Sequence, residues 1–129
     1  MLFFAALLVV IMVGVDFVAR LNFWYWVYPW FDNVSHFLGG LSLGTFALYM
    51  WYGSGIFGRT TPSKREAFAT AFVFVLIIGL GWEVFEYVYG IAGPSIGQTY
   101  AQDTFTDVFS DICGAALAGL IGGWHTWYE

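Results

Sequence analysis

Charged side chains are scarce: only 10% of the 129 residues are Asp, Glu, Lys or Arg, against about a quarter in an ordinary soluble domain. A chain so poor in charge has too few polar groups to cover a water-facing surface, which excludes a soluble enzyme and a disordered tail. Lys and Arg number four in all, which excludes a nucleic-acid partner. A single cysteine excludes an internal disulfide framework. Proline is limited to Pro29, Pro62 and Pro94, and each falls between long apolar runs, where a helix break is tolerated. What fills the chain instead is 60% hydrophobic residues, with 16 glycines and seven tryptophans. Gly and interfacial Trp are both enriched in bilayer proteins, so the chain reads as a small integral membrane protein with membrane lipids as its surroundings.

A spanning helix needs roughly 20 mainly apolar residues. Four segments qualify, at about 1–19, 31–52, 66–90 and 104–128, and together they predict one all-α domain over residues 1–129, a four-transmembrane-helix bundle. The first segment is expected to be a retained helix and not a cleaved signal peptide: it lacks a basic leading region and an A-x-A-like site, and carries Asp16 inside the apolar run. The loop between the second and third segments holds Arg59, Lys64 and Arg65, while the other loops hold only Arg20. The positive-inside bias therefore places that loop and both termini in the cytoplasm.

The second and fourth segments begin alike. Asp32-Asn-Val-Ser35-His36-Phe-Leu-Gly39-Gly40 aligns without gaps on Asp107-Val-Phe-Ser110-Asp111-Ile-Cys113-Gly114-Ala115, and Gly44 falls opposite Gly119. Duplication into two parallel helix-hairpin repeats is the expected origin. Small residues four apart (Gly40 and Gly44, Ala115 and Gly119, Gly119 and Gly123) predict close backbone approach between helices.

Seven of the nine acidic residues, Asp16, Asp32, Glu83, Glu86, Asp103, Asp107 and Asp111, converge on the outer end of such a bundle together with His36. Glu83 and Glu86 are i,i+3, Asp32 and His36 are i,i+4, and Asp103, Asp107 and Asp111 form an i,i+4,i+8 row, so each set shares one helix face. Ionisable groups facing lipid cost about 2.5–3.5 kcal/mol each even on lenient scales, so these faces turn inward. Some have ordinary explanations. Asp32 and Asp103 are candidate N-caps, Asp107 suits the positive end of a helix dipole, and Asp16 and Arg20 are spaced to pair. A lone His36 is more often a packing residue than a ligand. Glu83, Glu86 and Asp111 resist such readings, because no basic side chain in the last three helices lies at their depth.

The site residues expected to hold a cation are therefore His36, Glu83, Glu86, Asp107 and Asp111, with Asp32, Asp103 and Asp16 assisting. Carboxylates with one imidazole and no thiolate suit a divalent metal ion such as Mn, Fe, Mg, Ca or Zn. The chemistry this points to is metal-assisted hydrolysis or transfer on a lipid or lipid-linked substrate. Two rival readings use the same residues: proton or cation translocation, and an accessory subunit of a larger complex in which His36 ligates a pigment or haem. Composition and spacing leave the catalytic residues and the oligomeric state open.

The ordered set Asp32-x-x-x-His36-Phe, Glu83-x-x-Glu86 and Asp107-x-x-x-Asp111-x-x-Gly114-Ala115 resembles the YjdF-like family of uncharacterised bacterial inner-membrane proteins, over about residues 32–119. The chain is more distantly similar to VanZ-like proteins, with Glu86 and Asp111 standing where those carry Gln and Asn. The resemblance implies a bacterial inner-membrane location and brings no established activity with it.

Overall fold

The computed structural model describes residues 1–57, 61–91 and 93–125. Among them every regular element is helical: α1 (Leu2–Leu21), α2 (Trp24–Val27), α3 (Phe31–Leu48) running into a π-helical turn (Tyr49–Gly53), α4 (Lys64–Tyr89) and α5 (Tyr100–Gly122). Three of these, α1, α4 and α5, are long and apolar enough to cross a membrane. Of the four helices expected to span, α3 is not among these three: it has 18 residues and opens with Asp32, Asn33, Ser35 and His36. These polar residues keep α3 out of that set.

Local chemistry moves the helix starts. Ser63 caps α4 by a reciprocal pair: the Glu66 N–H donates to Ser63 Oγ at 3.3 Å, and the Ser63 N–H donates to Glu66 Oε2 at 2.7 Å. Thr99 and Gln102 form the same capping box on α5, so this helix starts at Tyr100 and not near 104. Trp30 and Thr99 occupy the N-cap positions of α3 and α5. Asp32 and Asp103, expected as caps, sit instead in the first turns, where an anion still meets the positive end of the helix dipole. The described part of α5 ends at Gly122; the last residues of the fourth expected span, with Glu129, and the loop residue Arg59 lie outside the described residues.

The helices alternate in direction, so α3 and α5 run parallel and α4 runs antiparallel between them in sequence. The α3–α5 seam is the tightest in the molecule. A Cβ on Gly40 would fall on the Asp111 carbonyl oxygen, and one on Gly114 would fall on the Phe37 carbonyl oxygen. Only a glycine hydrogen fits there, the close approach expected for small residues at membrane-helix crossings. On the α4 side, Gly119 lies against the Phe68 backbone. Leu8, Leu41, Leu48, Ala67, Ala71, Val75, Ala115 and Ala118 form the buried core below the polar end. The exposed surface is apolar almost throughout, with Val10, Val13, Ile77 and Leu120 each more than half exposed. Such a surface suits lipid and not water.

α1 packs on α3 and is pinned at its end by a polar network. Arg20 Nε donates to both Asp16 carboxylate oxygens at 2.9 and 3.1 Å, the pairing expected from their spacing. Tyr25 of α2 donates its single proton to Asp16 at 2.7 Å, so Ser35 donates to the Tyr25 oxygen at 2.6 Å. Burial, with Asp16 alongside, pushes the Tyr25 phenol up to about 12, which keeps it a donor at any physiological pH. Edge-to-face contacts of Trp24 and Tyr25 with the buried Phe31 seat α2 on the start of α3.

Candidate functional site

The parallel seam decides what meets at the polar end. Asp32 and His36 leave α3 one turn apart, and Asp107 and Asp111 leave α5 one turn apart. Because Gly40 and Gly114 bring the two backbones together, both pairs are driven into one cluster. His36 stands at its centre. Its Nδ1 lies 3.4 Å from Asp111 Oδ2, and its Nε2 lies 3.9 Å from Asp107 Oδ2 and 4.0 Å from Asp32 Oδ1.

The two ring nitrogens thus face different partners. The Asp111 side is filled: its carboxylate sits over Gly79 of α4, where an added Cβ would come within 2.7 Å of Oδ2. The Nε2 side is open in the sense that matters for a ligand. One ligand atom each from Asp32, His36 and Asp107 can be chosen so that all lie within 4.8 Å of one another. Asp107 Oδ1 is buried and has no hydrogen-bond partner, in a residue only 2% exposed. Leaving a buried carboxylate oxygen unpaired costs several kcal/mol, so this oxygen calls for a cation or a proton. Two bonds of about 2.0–2.2 Å at a tetrahedral angle span roughly 3.3–3.6 Å, so the imidazole and the carboxylates would have to close in by a few tenths of an ångström or more to share a divalent ion.

The other acidic residues go elsewhere. Glu83 Oε2 accepts the Thr104 hydroxyl at 2.9 Å, while its Oε1 is buried without a partner. Asp103 accepts the Ser95 N–H at 2.9 Å and ties down the 93–98 loop. Asp16 belongs to the Arg20–Tyr25 network. Glu86 makes no hydrogen bond or ion pair with the His36 cluster among the described residues. Ser110 bonds back to the Thr106 carbonyl at 2.8 Å, as serines in helices commonly do.

Three residues that matter to this geometry escaped the sequence analysis. Tyr25 sits in an aromatic stretch that reads as an interfacial belt, and Thr104 reads as a helix-start residue. Gly79 carries one available signal, its position four residues before Glu83, which puts it on the same inward face of α4. No curated protein and no solved structure matches the chain. A family model matches residues 1–127, and the chain belongs to the family described as Predicted membrane protein (DUF2238).

Proposed function

We propose that this membrane protein binds a divalent cation through Asp32 Oδ1, His36 Nε2 and Asp107, with Asp111 as the partner that orients the imidazole. The observation that carries the reading is the buried Asp107 carboxylate, whose Oδ1 has no hydrogen-bond partner, in one group with ligand atoms of Asp32 and His36. Ligating histidines commonly give their other N–H to a carboxylate, which fixes tautomer and ring direction; Asp111, 3.4 Å from Nδ1, would take that role. One nitrogen beside two carboxylates favours Zn, Fe or Mn over Mg or Ca. An ion there would polarise a bound oxygen and generate hydroxide from water, which suits hydrolysis or group transfer on a lipid-type substrate. Glu83, Glu86, Asp103 and Asp16 are then outside the ion's immediate ligands.

In the same reading α3, extended by its π-helical turn, crosses the membrane as the fourth helix. Its polar start is partly buried against the neighbouring helices, which would limit its contact with lipid. The basic loop and both termini face the cytoplasm of a bacterial cell, the matched starts of α3 and α5 descend from a duplication, and kinship with YjdF-like proteins extends over the Asp32–Gly119 core.

The test is the metal content of detergent-purified protein prepared without chelator, then reloaded with Mn, Fe or Zn. About one ion per chain is expected, from a single set of ligands; none under any loading would overturn the reading. Gly79→Ala and Gly81→Ala make a matched pair on α4. A Cβ at Gly79 displaces the Asp111 carboxylate, whereas one at Gly81 meets nothing within 4 Å. Loss of such an orienting partner costs about 10–100-fold in metal affinity, so Gly79→Ala is expected to bind at least tenfold more weakly and Gly81→Ala as the wild type does.

A further inference from the structure

Glu83 is a half-buried carboxylate that the cation site leaves unused, and it lines a cleft of its own. The cleft is a shallow, open groove of about 260 Å³ between α4 and α5, walled by Glu83, Val84, Tyr87, Tyr100, Ala101 and Thr104. It opens on the outside of the bundle, where Val84 is 63% and Tyr87 69% exposed. The Thr104 hydroxyl satisfies one Glu83 oxygen and leaves the other without a partner. The Tyr87 and Tyr100 rings meet edge to face, with centroids 5.4 Å apart.

A carboxylate beside two aromatic rings is the chemistry that recognises an organic ammonium, by charge pairing and by cation–π attraction. It suits a metal ion poorly, since the cleft offers only one carboxylate. Depth points to the source of that ammonium. Glu83 lies six residues before the end of α4 at Tyr89, or roughly 9 Å at 1.5 Å per residue. In a spanning helix that places it near the level of the lipid headgroups, which occupy roughly 5–8 Å on each side of the hydrocarbon. The surrounding charge agrees, because acidic residues far outnumber Arg20 at this end of the bundle.

We propose that the α4–α5 cleft holds the headgroup of an ammonium-bearing phospholipid of the phosphatidylethanolamine type, with Glu83 pairing the ammonium and Tyr87 and Tyr100 walling it. The proposal rests on the membrane-spanning reading and not on the cation site. It is tested by native mass spectrometry of the full chain in mild detergent, treated with chelator and titrated with phosphatidylethanolamine or phosphatidylglycerol of matched acyl chains. The wild type is expected to prefer the ethanolamine lipid by about tenfold, the scale of one charge-assisted hydrogen bond. Glu83→Gln should abolish that preference, and Tyr87→Leu, at an exposed position that the fold tolerates, should weaken it. Equal retention of the two lipids by the wild type would overturn the proposal. So would an undiminished preference in Glu83→Gln, or binding of free ethanolamine as tight as that of the lipid.

Discussion

A single methyl group added at Gly40 is expected to destabilise the protein by about 1–3 kcal/mol, the usual range for overpacking a tight core. The neighbour such a Cβ would meet is the Asp111 backbone carbonyl, which cannot rotate away as a side chain would. α3 and α5 must therefore separate, and the buried contacts of Leu41, Ala115 and Ala118 loosen with them. Gly114→Ala forces the same separation from the other side, against the Phe37 carbonyl. Thermal inactivation in detergent, followed by size-exclusion recovery, should show each variant losing roughly 3–5 °C per kcal/mol. Gly14→Ala is the control, since a Cβ there meets nothing within 4 Å. A Gly40→Ala protein as heat-stable as Gly14→Ala would refute the tight seam.

Asp107→Asn is expected to remove the bound ion and to abolish stabilisation by metal. In the wild type, a metal at 100 times its dissociation constant should add about 2.7 kcal/mol of stability by mass action, read as a rise in inactivation temperature. The Asn variant should show no rise. Its metal-free form should be at least as stable as the metal-free wild type, because three carboxylates around one imidazole leave surplus negative charge that the substitution relieves. Asp111→Asn should behave differently, keeping the stoichiometry while weakening affinity about 10–100-fold. Metal stabilisation that survives intact in Asp107→Asn would rule out the proposed ligand set.

The residues of the His36 cluster were legible in the sequence because i,i+4 spacing fixes which side chains share a helix face. Which faces then meet was not, since that depends on how far apart the backbones sit. Gly40 and Gly114 mattered here more than any charged residue: they bring Asp111 onto Nδ1 and leave Nε2 to Asp32 and Asp107. Glu83 shows the limit most clearly. Its spacing with Glu86 predicts a shared face, but its bonded partner, Thr104, is 21 residues away across a loop. Apolar runs mark α1, α4 and α5 well. The start of α5 was readable in Thr99-x-x-Gln102, a capping box whose polar residues look like loop. α2 is hidden because Trp24-Tyr-Trp-Val27 satisfies an interfacial belt as well as it does a helical turn.

The three proposed ligands are not equally accessible: the Asp32 side chain is 33% exposed, His36 11% and Asp107 3%. An ion entering the proposed site would therefore meet them in that order, exchanging its first water for Asp32 while still hydrated and its last for Asp107 once nearly bare. Ions that shed water reluctantly, as Mg does, would be held up at the first of these steps, whatever their final affinity. In the proposed site, the gradient of exposure along the cluster would sort ions by how fast they dehydrate as well as by how tightly they bind.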